Sequence, residues 1–165
     1  MIAVVDGRGV REGEVQLGFD PAERINAGVT FIGHIRSQWS RGDSPRNTTQ
    51  GREAGGGNAR IELLASYSAG LQGLEIWQPI WVLYWMDRGP RDLVVQSPRH
   101  LPEPRGVFSL RSPVRPKPIA MSAAIITSID HETGIVGIDT TDAFDRTPVV
   151  DIKPWIAGID VPPTS

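Results

Sequence analysis

The sequence contains no cysteine among its 165 residues. The chain therefore cannot form disulfides, hold zinc or an iron–sulfur cluster through thiolates, or use a cysteine nucleophile. Lysine is also scarce, since Lys117 and Lys153 are the only lysines among 17 basic residues. Arginine binds phosphate and carboxylate groups in a bidentate way, so the bias favours such ligands, although genomic base composition would produce the same bias.

The sequence has no long hydrophobic run either. Its longest apolar stretch, Ile80 to Met86, is far shorter than the roughly 20 residues that a membrane span requires. The N-terminus has no basic region followed by an apolar stretch, as a secretory signal would. These features predict a cytoplasmic protein without a membrane partner, and the length is sufficient for one domain with a full core.

Charge is distributed unevenly along the chain. Basic and acidic residues number 8 and 9 in residues 1–86, 7 and 3 in residues 87–118, and 2 and 7 in residues 119–165. The basic middle overlaps a segment, residues 90–118, that holds 7 of the 14 prolines. Because proline lacks the N–H donor that a sheet ladder needs, this segment predicts a rigid binding loop. A nucleic-acid surface and an ordinary solvated face both remain open for its charges.

Short β-rich segments between frequent glycines and prolines predict an all-β protein. One short helix is expected over Tyr67–Leu74, a mobile irregular loop over Gly51–Asn58, and a hairpin turn over His131–Gly134. The expected strands are Ile2–Val5, Val15–Leu17, Val29–Ile35, Ala59–Leu64, Ile80–Met86, Leu93–Val95, Val107–Leu110, Ala120–Ile129, Ile135–Ile138 and Val149–Ile152.

Several familiar site motifs fail on inspection. The glycines after Asp6 lack the third position of a dinucleotide-binding fingerprint, where Glu12 stands, and the Gly55–Gly57 run lacks the Gly-Lys-Ser/Thr of a phosphate-binding loop. No serine lies in a nucleophile-elbow motif. The three histidines have no metal-ligand spacing, so we expect no metal: His34, His100 and His131.

Two unusual strings are the most informative part of the sequence. They are GVFSLRSPVRPKPIAMS, residues 106–122, and TPVVDIKPW, residues 147–155. Shorter matches in the same order are FIGHIRS at 31–37, SPRN at 44–47 and LQGLE at 71–75. In these strings the sequence resembles the TsaA-like family, also called TrmO or YaeB, of S-adenosylmethionine-dependent methyltransferases. The resemblance covers residues 30 to 160.

The resemblance implies a fold and an activity. The fold would be a small β-barrel with short helical turns and long loops, which dimerises and holds the cofactor S-adenosylmethionine in loops near the subunit interface. The activity would be methylation of N6 of threonylcarbamoyl-adenosine in tRNA, or of a related acceptor. We divide the chain accordingly into a lead-in or hairpin over 1–28, the barrel domain over 29–161 and a tail over 162–165.

The resemblance also assigns site residues. Asp87 and Asp142 are the candidate catalytic bases. In the cofactor site, Arg111 would bind the methionyl carboxylate and Met121 would pack on adenine. The full set of implied cofactor contacts is Arg46, Asn47, Thr48, Asp87, Arg88, Arg111, Met121, Asp139, Thr140, Thr141 and Asp142. The alternative for Arg111 and Arg115 is pairing with acidic residues of the C-terminal part, such as Asp142 or Asp151.

The sequence departs from the usual family strings at positions that bear on the acceptor. Gln78-Pro79 replaces Ser-His, Lys117 replaces Asn, and Ala120 and Arg146 each replace Gly. Two further functions therefore stay open: a methyltransferase for a small molecule, and a module that binds S-adenosylmethionine without transferring its methyl group.

Overall fold

The computed structural model describes residues 9–86 and 88–163, which form two compact units. The small unit contains the described residues up to Val29 together with those of the segment Met86–Ala120. The large unit contains Thr30–Trp85 and the described residues from Met121 onward. The division into lead-in, barrel domain and tail made from the sequence stays a prediction.

Strands dominate both units, and the helices are short. Within the described residues the strands are β1 (Val15–Gln16), β2 (Gly33–Arg36), β3 (Arg60–Leu63), β4 (Pro79–Trp85), β5 (Leu93–Gln96), β6 (Arg105–Gly106), β7 (Ile119–Asp130), β8 (Ile135–Ile138) and β9 (Thr147–Pro154). The α-helices are α1 (Thr48–Glu53) and α2 (Ala157–Asp160), and 3-10 helices cover Pro21–Glu23, Gly56–Asn58, Ala65–Leu71 and Val107–Ser109.

The sheet of the large unit closes on itself in the order β2-β3-β8-β7-β4-β9, with β9 pairing back to β2. The pairs with recorded register are antiparallel, and bulges interrupt β4–β9 and β7–β8, so the barrel is irregular. Successive side chains of a strand point to opposite faces of the sheet, so alternate residues of a strand face the inside of the barrel. Strand β4 shows this directly, with Ile80, Val82 and Tyr84 buried between less buried neighbours.

The start of β2 lies so close to the end of β3 that position 33 requires glycine. A Cβ on Gly33 would lie 2.2 Å from the carbonyl oxygen of Glu62. The core that this packing encloses is aliphatic and includes Ile35, Ile61, Ile126, Val136 and Val149, each at most 1% exposed. Burial of these branched side chains is the main favourable term for the barrel.

The small unit has its own three-stranded antiparallel sheet, in the order β1-β5-β6. Its buried side chains include the apolar Leu93 and Val107 and the polar Gln96. The Gln96 amide donates to the carbonyl of Val114, so the proline-rich segment is tied to its own sheet.

The all-β fold predicted from the sequence is confirmed, and so are most of the expected strands and the hairpin between β7 and β8. Three expectations are wrong in detail. The strand expected over Val107–Leu110 is a 3-10 turn, the irregular loop expected over Gly51–Asn58 contains the end of α1 and a 3-10 helix, and β2 begins only at Gly33. The helix expected over Tyr67–Leu74 is a 3-10 helix at Ala65–Leu71, and the expected strand Ile2–Val5 lies outside the described residues.

A charged cluster ties β2, β3 and the chain before β9 together. Arg36 donates from Nε to Asp145 at 2.8 Å and from Nη1 to Glu62 at 3.1 Å, and Arg60 donates from Nε to Glu62 at 2.9 Å. The Arg36 hydrogen bond holds the pKa of the Asp145 carboxyl below its ordinary value. Burial raises the pKa of Glu62, but the hydrogen bonds from Arg60 and Arg36 outweigh it, so this pKa is also lowered.

Because both carboxyls titrate lower in the folded chain, their contribution to stability is present above their ordinary pKa of about 4 and is lost as the pH falls through the folded values. We therefore expect Asp145→Asn to lower the free energy of unfolding by about 1 kcal/mol at pH 7. Urea unfolding should show this difference shrinking between about pH 5 and about pH 2. The exposed Glu53→Gln is the control, and a difference for Asp145→Asn that is constant with pH would contradict the assignment.

Candidate functional site

Two segments that the resemblance assigned to the cofactor meet in the large unit. One is the start of α1, with Arg46 and Asn47 exposed and Thr48 half-buried; the other is the turn over residues 139–142, which follows β8. The Thr140 hydroxyl donates to the carbonyl of Thr48 at 3.2 Å. We call these two segments together the candidate site.

The start of α1 is fixed by side-chain caps. Asn47 is the N-cap, and its Oδ1 accepts from the backbone N–H of Gln50 at 2.9 Å. The side chain of Gln50 returns a bond, since its Oε1 accepts from the N–H of Arg46 at 3.1 Å. The Asn47 bond satisfies one of the free N–H groups at the start of the helix, and the Gln50 bond holds the residue that precedes the N-cap.

Glycine lets α1 pack directly on the turn after β8. A Cβ on Gly51 would lie 2.5 Å from the Thr140 hydroxyl oxygen and 3.0 Å from the carbonyl oxygen of Thr141. A Cβ on Gly56 would lie 2.2 Å from the carbonyl oxygen of Asp139, where Gly56 also has a left-handed φ of +75°. The contact between the two segments therefore depends on the missing side chains of these glycines.

Asp139 uses both carboxylate oxygens to hold this contact. Its Oδ1 accepts from the N–H of Ile125 on β7 at 2.7 Å, and its Oδ2 accepts from Arg52 Nε on α1 at 2.6 Å. Arg52 also donates from Nη2 to the carbonyl of Ala123 at 3.2 Å. Asp139 and Arg52 thus join α1, β7 and the turn after β8 into one frame.

The far side of the turn is anchored to the chain that follows β2. The indole N–H of the buried Trp39 donates to the carbonyl of Thr141 at 2.9 Å, and the Ser37 hydroxyl donates to the carbonyl of Ala143 at 2.8 Å. Thr141 is 1% exposed, and its hydroxyl oxygen accepts from the N–H of Ala143. The backbone of residues 139–143 is therefore held from both sides.

Asp142 differs from Asp139 in having a neutral partner. The hydroxyl of Tyr84, a buried residue of β4, donates to Asp142 Oδ1 at 2.7 Å. Asp142 itself is half-buried, so its carboxylate is oriented by the tyrosine and still reaches solvent. A carboxylate held in this way can accept a hydrogen bond or a proton from a bound molecule.

Of the remaining residues assigned from the sequence, one lies on β7, two lie in the small unit and one lies outside the described residues. Met121 lies on β7 in the large unit and is 44% exposed. Arg88 and Arg111 belong to the small unit and are both exposed. Asp87 lies outside the described residues, so the structure gives no place for it.

Two contacts, one in each unit, bear on the alternative that Arg111 and Arg115 pair with acidic residues of the C-terminal part. Arg115 donates from Nη1 to the carbonyl of Leu110 at 2.9 Å in the small unit. In the large unit, Asp151 forms an ion pair with Lys153 at 2.7 Å. Arg115 therefore has a carbonyl partner in the small unit, and Asp151 has a lysine partner in the large unit.

Sequence reasoning missed the residues that support the turn, which are Tyr84, Trp39 and Arg52. Tyr84 and Asp142 are 58 positions apart, and Arg52 and Asp139 are 87 positions apart, so no local pattern connects them. Gly51 lies beside Arg52, and from the sequence it was expected only to contribute to a mobile loop.

Metal-binding clusters and membrane-spanning helices are both absent from the described residues. Residues 9–86 and 88–163 contain no group of three or more His, Asp or Glu side chains placed to hold a metal ion. In the same part of the chain no helix is both long enough and apolar enough to cross a membrane.

The family model of the tRNA-methyltransferase O N-terminal domain matches residues 34–161. The chain therefore belongs to this family. The match includes both segments of the candidate site. It also includes the proline-rich string and the TPVVDIKPW string on which the resemblance was based.

Individual TrmO-like proteins agree with the family match. The chain is 37% identical over 154 residues to a Rhizobium radiobacter protein named "Probable S-adenosyl-L-methionine-binding protein VirR", covering 92% of this chain and 83% of that one. It is 39% identical over 95 residues to the mouse tRNA (adenine(37)-N6)-methyltransferase, covering 56% of this chain and 22% of that enzyme. The crystal structure of TrmO from Pseudomonas aeruginosa superposes with a TM-score of 0.64 and 26% identity, covering 86% of this chain.

The chain spans only part of the named TrmO proteins. It covers 61% of the Pseudomonas aeruginosa TrmO chain and 22% of the mouse enzyme, whereas it covers most of the Rhizobium radiobacter protein. The activities that those names state therefore belong to proteins that are longer than the part with which this chain aligns.

One departure from the usual family strings has a direct structural meaning. Arg146, where the family string has glycine, has a left-handed φ of +66°. Glycine adopts this conformation without strain, whereas a residue with a Cβ does so at a cost. The Arg146 N–H donates to the carbonyl of Ile35 at 2.8 Å, so the turn is kept although the residue has changed.

We expect Gly51→Ala to push α1 away from the turn after β8, because the new methyl group would overlap Thr140 and Thr141. The free energy of unfolding should fall by about 1 to 3 kcal/mol, which corresponds to roughly 3 to 10 °C in melting temperature for a domain of this size.

Gly70→Ala is the matched control, since a Cβ at Gly70 meets no atom within 4 Å. Thermal unfolding of the two variants against the unchanged protein makes the comparison. Equal melting temperatures for Gly51→Ala and Gly70→Ala would contradict the close packing described here.

Proposed function

We propose that this protein is an S-adenosylmethionine-dependent methyltransferase that acts on tRNA. The observation that carries the proposal is the meeting of residues 46–48 with residues 139–142 in a chain of the TrmO family. These segments are 92 positions apart at the Thr48–Thr140 hydrogen bond, and the family resemblance implies a cofactor role for both. The name of the Rhizobium radiobacter relative, with its near full-length alignment, supports the same cofactor.

The side chains of the candidate site fit the chemistry of S-adenosylmethionine. The cofactor has a carboxylate, an ammonium group, ribose hydroxyls and an adenine ring. Arg46 offers a cation for the carboxylate, and the Asp142 carboxylate offers an acceptor for the ammonium group or a ribose hydroxyl. When bound, the cofactor supplies an electrophilic methyl group.

The role of Asp142 follows from its hydrogen bond to Tyr84. Methylation of a nitrogen requires the acceptor to lose its proton as the new N–C bond forms, and a nearby carboxylate can accept this proton. The Tyr84 hydroxyl orients Asp142 from inside the barrel, at 2.7 Å. Tyr84 is therefore a positioning residue, and Asp142 is the proposed general base.

The proposed acceptor is N6 of an adenosine in tRNA, with threonylcarbamoyl-adenosine as the specific substrate. The name of the mouse relative specifies adenine 37 and N6, which supports this acceptor. The alternative substrates are a related RNA acceptor and a small molecule. A homodimer remains a prediction from the family resemblance, and a cytoplasmic location remains a prediction from the sequence.

A second function is favoured by a specific observation. Two relatives that align over 92% and 78% of this chain are named as S-adenosyl-L-methionine-binding proteins, without a transfer activity in the name. The alternative is therefore a module that binds the cofactor and does not transfer its methyl group. Product formation separates the two functions.

We expect S-adenosylmethionine and S-adenosylhomocysteine to raise the melting temperature. At roughly 100 times the dissociation constant, a ligand adds about 2.7 kcal/mol, which is roughly 5 to 10 °C for a chain of this length. NADH and ATP are the controls and should give no shift. No shift with either sulfur compound would contradict the assigned cofactor.

We expect Asp142→Asn to lower kcat for methyl transfer to bulk tRNA by about 100-fold, with a nearly unchanged dissociation constant for the cofactor, because the amide cannot accept the proton. Tyr84→Phe should give a smaller loss in kcat with the same KM for the cofactor. Transfer of labelled methyl groups, followed by nucleoside mass spectrometry, measures both.

Asp151→Asn is the matched control, because Asp151 pairs with Lys153 on β9 and has no place in the candidate site. If Asp142→Asn retained full turnover at saturating cofactor, Asp142 would be excluded as the base. If the unchanged protein bound the cofactor and methylated neither tRNA nor a metabolite extract, the binding-module alternative would be correct.

A further inference from the structure

The small unit presents one aromatic side chain almost completely to solvent. Phe108 is 92% exposed, the highest value recorded for a large hydrophobic residue among the described part of the chain. It lies in the middle of the 3-10 helix Val107–Ser109, directly after β6. We call residues 105–110 the Phe108 turn.

The Phe108 turn is held firmly at both ends. On one side, β6 pairs with β5 through Gly106 opposite Val95 and Arg105 opposite Gln96. On the other side, the N–H of Leu110 donates to the carbonyl of Val107 at 3.2 Å, and the Ser109 hydroxyl donates to the carbonyl of Gly106 at 2.8 Å.

Neighbouring side chains also anchor the Phe108 turn to its unit. Val107 is 1% exposed, so its buried side chain anchors the turn in the small unit. Arg115 donates from Nη1 to the carbonyl of Leu110 at 2.9 Å. The exposed ring of Phe108 is therefore carried by an anchored turn, so a ligand that stacks on it would order few additional chain atoms.

The charge around the Phe108 turn is positive. Arg105 within the turn is exposed, and the segment 87–118 that contains the turn has 7 basic and 3 acidic residues. Single-stranded nucleic acid is bound by a combination of aromatic rings, on which bases stack, and cationic side chains, which contact phosphates. The Phe108 turn supplies both groups within four residues of chain.

We infer that the Phe108 turn binds an unpaired segment of RNA, with a base stacked on Phe108 and a phosphate contacted by Arg105. This inference rests on the proposed function, because it gives a surface of this chain to the tRNA acceptor. Stacking tolerates any base, so the turn holds the RNA strand and leaves the choice of nucleotide to other contacts. Arg111 is left to the cofactor and plays no part in this surface.

A second copy of the chain is the competing occupant, since an exposed phenylalanine can also be covered in a dimer. The positive charge of the segment favours RNA, because two copies placed face to face here would bring like charges together. The oligomeric state of the variant distinguishes the two occupants.

The test measures binding of two fluorescein-labelled probes, bulk tRNA and a single-stranded ten-nucleotide adenosine RNA, with no cofactor present. We expect Phe108→Ala to raise the dissociation constant of both probes about tenfold and Phe108→Tyr to leave it nearly unchanged. Arg105→Ala should weaken binding and reduce the slope of log affinity against log salt by about 1. Ile25→Ala, which truncates another exposed apolar residue of the small unit, is the control.

Each outcome decides the inference separately from the proposed function. If Phe108→Ala binds both probes as tightly as the unchanged protein, the Phe108 surface is wrong and a tRNA acceptor stands. If sedimentation shows that Phe108→Ala converts a dimer to a monomer, the occupant is a second copy and the inference is overturned. If the unchanged protein binds neither probe but methylates a small molecule, the RNA surface and the tRNA acceptor both fail while the methyltransferase activity stands.

Discussion

The close packing of α1 on the chain after β8 is the constraint on which the candidate site depends. Gly51 and Gly56 permit the approach, because a side chain at either position would overlap the backbone or hydroxyl groups of residues 139–141. The Thr140–Thr48 hydrogen bond and the Arg52–Asp139 ion pair then fix the distance. Without this contact, the exposed Arg46 and Asn47 and the half-buried Asp142 would have no defined geometry relative to each other.

The polar groups of the site divide into supporting groups and groups that can act on a ligand. Both carboxylate oxygens of Asp139 accept hydrogen bonds from protein groups. Thr141 is buried, and its carbonyl accepts a hydrogen bond from the indole N–H of Trp39. Asp142 is half-buried, and its recorded partner is the neutral Tyr84 hydroxyl. This difference is why the general-base role is proposed for Asp142, although both carboxylates lie in the same turn of sequence.

The sequence predicted the strands well because their apolar residues alternate or run continuously, and the barrel buries them accordingly. The predictions from the sequence were wrong where tertiary packing determines the backbone conformation. Residues 51–58 were expected to be irregular, whereas two of their glycines are required for close contact with residues 139–141. Val107–Leu110 was expected to be a strand, but only Val107 is buried and the chain turns so that Phe108 points to solvent.

The two halves of the site could be named from the sequence only through family resemblance. The spacing of residues 46–48 and 139–142 contains no motif that would connect them, and their supporting residues Tyr84, Trp39 and Arg52 are distant in sequence from the residues they hold. Family membership is established by the match over residues 34–161. The Phe108 turn is the surface that we propose for the RNA acceptor.

The most direct test of the central claim is a crystal structure of the protein with S-adenosylhomocysteine. The account predicts density for the ligand against residues 46–48 and Asp142, with α1 and the turn after β8 still joined through Thr48 and Thr140. Ligand density elsewhere on the chain, with Arg46, Asn47 and Asp142 all facing solvent, would contradict the assignment of the candidate site.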